Sequence, residues 1–365
     1  MGRWAEFEAS WEADLPAREV EARWLALEAK SDGSFFQSWA WTGCLYDERF
    51  PRPVLLTLAR DGECRAIALF NRESGKGGDR LLLGESGVAA LDSVFIEHNG
   101  PLVARDAPGA LEACFDAMTH GGPGLLAGRR VILSGIGDEA LAAARRSGIV
   151  RLEITRSAPA VDLARLRRKG QGMLDDLSAT ARYQLRRSVR RYEMAGPLSI
   201  RRADTVGEAE RFLAALAELH GRTWRARGRS GAFAEPAFRR FHGELIGRGL
   251  PAGMVDLLEI AAGPRIIGYL LNFVFRNHVY AYQSGFDYEL MHPHEKPGLT
   301  CHYTAIQRYL EGGLEIYDFL AGHDRYKESF SDHAMPLYWA RLAPRWSIPG
   351  GCYGLANLIS RLRAR

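Results

Sequence analysis

Residues 255–320 read VDLLEIAAGPRIIGYLLNFVFRNHVYAYQSGFDYELMHPHEKPGLTCHYTAIQRYLEGGLEIYDFL. Three apolar runs open the stretch: Val255–Ile260, Ile266–Phe275 and Val279–Phe286. Ala262-Gly263-Pro264 and Arg276-Asn277 separate them. These residue types turn a chain sharply, so the spacing predicts three consecutive antiparallel strands. Pro297 then stands where the first residue of a helix tolerates a missing N–H, and Gly312-Gly313 stand where a helix stops. Between them Leu299, Tyr303, Ile306 and Leu310 recur at helical spacing and form a buried face. A strand over Ile316–Leu320 follows, and Leu337–Leu342 is expected to close the same sheet.

Upstream, Ser178 can cap a helix that runs to about Glu193, with an apolar stripe at Ala181, Leu185, Val189 and Tyr192. Gly196-Pro197 stops it and Leu198-Ser199-Ile200 begins a strand. A long helix is predicted from about Val206 to Arg225, burying Phe212, Leu213, Leu216 and Leu219, and another over about Pro236–Ile246. The first half reads as mixed α and β. Short strands fall at Val54–Leu58 and Arg65–Phe70 around Asp61-Gly62, and at Arg80–Leu83, Val94–Ile96 and Val131–Ser134. Helices are predicted near Ala107–Met118 and Glu139–Ser147. Asn71–Asp79 is a glycine-rich loop; its Gly-Lys-Gly-Gly lacks the spacing and the strand–helix flanks of a phosphate-binding loop. Arg156-Ser157-Ala158-Pro159 is expected to cross between domains.

The chain has 365 residues, and roughly 150 residues per domain makes two domains the expectation. We place an N-terminal domain at 1–158, a second at 159–345 and a helical tail at 346–365. Hydrophobic residues make up 47% and charged residues 25%, which excludes bulk disorder. The five cysteines are scattered and never spaced as CxxC, which excludes a disulfide framework and a zinc ribbon. No apolar signal segment follows Met1, and the longest apolar runs, such as Tyr269–Phe275, are far too short for a membrane span. A cytoplasmic protein is the expectation. The net charge of +4 is unevenly spread: from Arg156 to Arg202 twelve Lys and Arg face four acids, so this segment is +8 and the rest is −4. Arg182, Arg186 and Arg190 repeat every four residues on the capped helix, with Arg187 and Arg191 beside them. Such a row is either a solvated helix face or a contact for a phosphate-bearing partner.

A meander that feeds a helix and then a parallel strand splays the sheet where the helix begins, which is the acyltransferase arrangement of the GNAT superfamily. Five blocks carry a closer likeness: Leu177-Ser178 with Arg186–Arg191, Leu219–Gly228, Tyr282–Asp287, Pro297-Gly298, and Tyr317–Gly322 with Tyr326-Lys327. In their order and spacing the region of about 160–340 resembles the CelD-type acetyltransferases, GNAT-like proteins related to the Fem-type (FemABX) aminoacyltransferases. The resemblance implies an α/β (α+β) fold of two tandem GNAT-like domains, the N-terminal one degenerate. It also implies an acyltransferase that moves an acyl group from an activated donor to a small-molecule or polymer amine.

The chemistry can be set against the residues. A helix N-terminus facing a splayed strand offers free N–H groups for a pyrophosphate or carbonyl oxygen, and Lys296-Pro297-Gly298-Leu299-Thr300 is the segment placed to do so. Acetyl-CoA or another acyl-CoA is the implied donor. The usual loop has Arg or Gln before two glycines, however, whereas here Glu295 precedes Lys296 and only Gly298 remains. The amine must lose a proton. Asp287 is either that base (or an amine ligand) or a cap on the following loop; His220 is either a second candidate or a structural helix histidine. Asp318, a charge inside a core strand, is a site carboxylate or a buried partner of an arginine. Lys327 after Tyr326 occupies the position that, in Fem-type relatives, supports the tetrahedral intermediate, or else lies on the surface. Arg222, Trp224, Tyr282 and Gln283 are expected to line the acceptor cleft, with core packing the rival role for Trp224. His292-Pro293-His294 and His302 lack a further ligand at a recurring spacing, so no metal is expected. No Gly-x-Ser-x-Gly elbow or cysteine motif supplies a nucleophile, which favours direct attack by the amine.

Two other readings stand beside the CoA-dependent one. A Fem-type transferase would draw on charged tRNA, although no coiled-coil arm is inserted here. A GNAT scaffold without catalysis would bind a polymer or protein. An acyl carrier protein or tRNA is the partner expected at Arg182–Arg191.

Overall fold

A computed structural model of the chain describes residues 6–75, 79–92, 94–120, 130–322 and 325–363. The chain divides into two compact units: residues 1–156 with 336–365, and residues 157–335.

The first unit begins with β1 (Glu8–Ala13), α1 (Ala17–Glu28), α2 (Trp39–Arg49), β2 (Pro53–Arg60), β3 (Glu63–Glu73) and β4 (Arg80–Leu83). It continues through β5 (Leu102–Val103), α3 (Ala110–His120), β6 (Arg130–Ile136), α4 (Asp138–Ser147) and β7 (Ile149–Asp162). β2 and β3 form the expected hairpin, with Asp61 and Gly62 both at positive φ in its turn. Two expectations fail here. Asn71–Glu73 extends β3 instead of opening a loop, because the buried Asn71 amide bonds the Ser86 carbonyl and the Arg52 N–H; Lys76–Gly78 of the glycine-rich run lies outside the described residues. Val94–Ile96 is not a strand, although Val94 and Ile96 are buried. Arg156–Pro159 does carry the chain from one unit to the other, as part of the 14-residue β7.

The second unit holds α5 (Leu163–Arg168), α6 (Met173–Asp176), α7 (Ala179–Glu193), β8 (Leu198–Arg202), α8 (Val206–Ala226) and α9 (Pro236–Gly249). There follow β9 (Val255–Ala262), β10 (Arg265–Phe275), β11 (His278–Phe286), α10 (Pro297–Glu311), β12 (Ile316–Asp318) and α11 (Arg325–Phe330). Its sheet runs β7-β12-β11-β10-β9-β8. β9, β10 and β11 form the predicted meander, with Arg276 and Asn277 both left-handed in the tight turn. β12 is parallel to β11 over only three pairs, His278–Ile316, Val279–Tyr317 and Tyr280–Asp318. It stops two residues earlier than the sequence suggests, and β11 runs on to Phe286 without it.

One face of this sheet buries Leu258, Leu270, Val279 and Tyr317 with Leu185 and Tyr192 of α7 and Leu299 and Ile306 of α10. Full burial of each such aliphatic or aromatic side chain contributes about 1.5–3 kcal/mol. α8 lies across β10 and β11. Ser178 and Thr205 cap α7 and α8 through the N–H groups of Ala181 and Glu208. α8 approaches so closely that a Cβ on Gly285 would meet the Leu216 carbonyl.

The last elements are β13 (His333–Ala343) and α12 (Ile348–Arg363). From Tyr338 to Leu342 β13 pairs antiparallel with β6, it neighbours β7 in the strand order, and Leu337–Leu342 belongs to the first unit. α12 returns to the first unit as well, its Asn357 amide bonding the Val150 carbonyl at 2.8 Å.

Two glycine substitutions test the packing with opposite signs. Gly285→Ala should lower stability by about 1–3 kcal/mol, since a helix backbone must move. Gly243→Ala, inside α9 with open space around it, should raise stability by up to about 1 kcal/mol. Urea midpoints that move the same way in both variants would contradict this packing.

Candidate active site

The site is built where β11 and β12 part. The partner strand ends because Leu320 takes a left-handed conformation, φ 58°. A β-carbon makes that costly, and it persists where surroundings over-determine it. The Asp318 carboxylate does so: Oδ1 accepts the Leu320 N–H at 2.6 Å, and Oδ2 lies 3.3 Å from His278 Nε2. Asp318 is fully buried. Its described basic contact is the His278 imidazole. Lys327, from α11, aims Nζ at the same turn and donates to the carbonyls of Phe319 (2.9 Å), Leu320 (3.4 Å) and Ala321 (3.4 Å). Its ammonium protons are directed at the backbone and hold the turn from the other side.

On β11, pairing passes from Leu271–Gln283 to Asn272–Ala281, so Tyr282 is the extra residue of a β-bulge. The Tyr282 ring packs against Phe273 (4.7 Å) and His242 (5.3 Å) and is a core aromatic, not an exposed cleft wall. Gln283 follows, half-buried.

His302, which spacing alone set aside as a stray metal ligand, lies at the centre of the fork. Its ring stacks on Tyr326 at 4.9 Å and touches Phe286 and Phe319. Nδ1 is 2.8 Å from the Tyr317 hydroxyl, while Nε2 is buried with no hydrogen-bond partner among the described residues. Burial first, and the nearby Lys327 charge second, push its pKa down to about 3. His302 is therefore a neutral imidazole. A related buried polar chain links Asn272 to Tyr309 (3.2 Å), Tyr309 to Asp256 (3.0 Å) and Asp256 to Arg202 (2.5 Å).

The α8 side supplies a second histidine. His220 Nδ1 lies 3.2 Å from the Ser284 carbonyl, which can only accept, so Nδ1 carries the proton and Nε2 the lone pair. Nε2 is buried and has no hydrogen-bond partner among the described residues. Burial lowers the pKa of this ring, against the Ser284 bond that raises it. Trp224 lies 5.8 Å from His220 and is half-buried, with Arg227 (5.5 Å) and Arg229 (5.9 Å) over its ring. Arg222 pairs with Glu218 and Glu289. Asp287 Oδ1 accepts the N–H groups of Glu289 and Leu290, each at 3.1 Å, so this carboxylate caps the loop after β11. Phe286, next to it, spans from Tyr288 to His302 and joins the loop to the fork.

The start of α10 is held by α7. Ser188 Oγ accepts the Lys296 N–H at 2.8 Å and lies 2.8 Å from Thr300 Oγ1. Pro297, Gly298, Leu299 and Thr300 are buried, and a Cβ on Gly298 would sit 3.1 Å from the Phe286 ring; the Lys296 side chain is exposed. Glu295, which departs from the common loop, is explained by Arg265: the two are bidentate at 2.9 Å, and Glu295 also accepts the His292 N–H. Burial raises the Glu295 pKa, but the Arg265 guanidinium and that N–H outweigh it and leave it low. The guanidinium covers the Tyr192 ring at 5.1 Å. Beside Ser188, Arg186, Arg187, Arg190 and Arg191 are exposed and have no acidic partner among the described residues. Arg182 instead donates to the carbonyls of Asp175 and Leu177. His292 and His294 stay on the surface away from the buried ring of His302, and no group of three or more His, Cys, Asp or Glu among the described residues can hold a metal ion.

A strand fork with a helix N-terminus at its mouth is the GNAT-type arrangement, and residues 179–328 match the family model "Acetyltransferase (GNAT) domain". The second unit thus carries an acyltransferase domain. Among solved structures, FemX aligns with a TM-score of 0.58 at 12% identity, covering 91% of this chain and 96% of its own. The C-terminal domain of a putative lysylphosphatidylglycerol synthetase from Agrobacterium fabrum aligns at 0.55 and 14%, covering 95% and 97%. L-PGS from Bacillus licheniformis aligns at 0.51 and 13%, covering 93% and 96%. At these identities the likeness is one of fold. No curated protein sequence matches this chain.

The His302 environment gives a pH prediction. Unfolding returns this imidazole from a pKa of about 3 to about 6.5, so between these values the unfolded chain binds the extra proton. Its contribution is complete above about pH 6.5 and is lost as pH falls toward 3. Wild type should lose stability about 1.4 kcal/mol per pH unit faster than His302→Gln across pH 6 to 4. Parallel slopes in urea titrations would show that the ring is protonated in the fold.

Proposed function

We propose that the second unit is a CelD-type N-acyltransferase that moves an acetyl or longer acyl group from a CoA thioester to an amine by direct attack. The observation that carries this is the fork itself. β11 leaves β12 after three pairs, so on that side the edge from Ala281 to Phe286 has no strand partner among the described residues, and α10 starts beside it. Unpaired backbone groups at such an edge can hold a thioester carbonyl, and the exposed Lys296 with the α7 arginines suits the phosphates of the donor. In the reaction the amine nitrogen bonds to the thioester carbon, the C–S bond breaks, the thiolate leaves, and the amine proton passes to a base.

We assign that base to His220 ahead of Asp287. The His220 Nε2 lone pair is uncommitted, and its lowered pKa keeps it neutral near pH 7, whereas Asp287 caps its loop. Lys327 supports the turn of the fork. Cys301 is buried and its thiol is pushed well up by that burial, so it is no thiolate nucleophile. The cysteines at 44, 64, 114, 301 and 352 are all free, which fits a reducing cytoplasm. His220→Gln should cut kcat about 100-fold while acyl-CoA affinity in calorimetry stays within about twofold; an unchanged kcat would make His220 structural. If neither acetyl-CoA nor longer acyl-CoA binds at millimolar levels, the CoA donor is wrong.

One observation favours a second donor. Four exposed arginines without acidic partners form a polyanion contact larger than a CoA pyrophosphate needs, as an aminoacyl-tRNA would use. Filter binding of charged tRNA over a salt series separates the two. Affinity that survives near physiological salt, with a steep slope that Arg186→Ala/Arg190→Ala reduces by about two, supports tRNA; its absence, with acyl-CoA bound, supports CoA.

A further inference from the structure

The C-terminal helix α12 presents an apolar face that none of the described residues of the first unit covers. Its inner edge is fixed by the buried Tyr353 and by the Asn357 bond to Val150. At about 100° per residue, Ile348, Cys352, Leu355, Leu358 and Ile359 gather on the opposite side. There Leu355 is 60% exposed, Leu358 54% and Ile359 42%, while Ile348 and Trp346 just before them stand at 86% and 99%. A soluble surface tolerates scattered apolar residues, but a row along one helix face, led by a tryptophan, marks a contact.

The charge around the row decides what covers it. From Pro344 to Arg365 the sequence has four arginines (345, 361, 363 and 365) and no acid. A helix that is packed on one side, apolar on the other, flanked by arginines at both ends and led by a tryptophan has the make-up of a helix that lies in a membrane interface. At about 1.5 Å per residue α12 is about 24 Å long, and no described helix is long and apolar enough to cross a membrane. A covering protein surface would have to supply acids to match four arginines, as would a second copy of this chain, whose own α12 is equally basic. An anionic bilayer meets both the apolar and the charge requirement.

We propose that α12 docks this protein onto an anionic lipid surface. Trp346, Ile348, Leu355, Leu358 and Ile359 enter the boundary between headgroups and acyl chains, and the net positive charge of the segment favours an anionic surface. The inference rests on the first unit alone and is independent of the acyl-transfer reading.

The test is co-sedimentation of the full chain with vesicles of equal parts phosphatidylglycerol and phosphatidylcholine, against pure phosphatidylcholine. Binding should be at least about tenfold stronger to the anionic vesicles, weaken with salt, and fall at least about tenfold in Leu355→Glu/Leu358→Glu. Should that variant misfold by circular dichroism, Trp346→Phe serves instead, because its side chain packs against nothing. Brominated lipid should quench part of the wild-type tryptophan fluorescence, and the variant should lose that part. No sedimentation with anionic vesicles overturns the proposal, as does quenching identical in wild type and Trp346→Phe. A dimer in analytical ultracentrifugation that Leu355→Glu/Leu358→Glu dissociates would also overturn it, by showing that a second copy covers the face.

Discussion

The second unit depends on the Asp318 carboxylate. It is fully buried and accepts the N–H of a leucine held at positive φ. That bond ends β12. Had the strand continued, its ladder with β11 would have gone on past Tyr280 and closed the fork. A buried carboxylate is costly unless its oxygens are satisfied, and here the N–H of Leu320 and the imidazole of His278 do this. Lys327 secures the same turn through its carbonyls, so the turn has its N–H held by an anion and its C=O groups held by a cation. An opening in a sheet exposes unpaired backbone, which native folds retain where it serves a ligand.

Around the opening, polar groups are either committed or conspicuously open. Asp287, Glu295, Ser188 and Thr300 are engaged in capping and ion pairing, and they fix the loop and helix that form one wall. The Nε2 atoms of His220 and His302 stay buried and unpartnered among the described residues. Most buried polar atoms in proteins find partners, so these two nitrogens stand out. They differ in kind. His220 has its proton fixed on Nδ1 by a carbonyl and offers a lone pair, whereas His302 is bound to a tyrosine and sealed among aromatic rings.

Much of the second unit was legible because its signals are local. Gly263-Pro264, Arg276-Asn277, Pro297 and Gly312-Gly313 punctuate the chain at turns and helix ends, and the apolar runs between them have one period each. The first unit and the chain termini were less so. β7 runs through Pro159 because its pairing partners come from distant sequence, and no local pattern announces that. β13 has the alternation of a strand that could serve either unit; its pairing with β6 is a matter of tertiary contact. The site shows the same divide. Asp318 stood out as a charge in a core strand, but its partner could not be read, since His278 lies forty residues away across the parallel pair. His302 was obscured by the nearby His292-Pro293-His294, which resembles a ligand set in sequence and is scattered in space. An available signal was its place on the apolar face of α10, between Leu299 and Ile306.

An acyl donor seated as proposed would cover the unpaired edge of β11 and the start of α10. Hydrogen–deuterium exchange of backbone amides with and without acetyl-CoA measures this directly. The fork as donor site predicts slowed exchange in Ala281–Phe286 and at Gly298 and Leu299, with β8 and β9 unchanged. Exchange that is unaltered in these segments, or slowed only in the first unit, would contradict it.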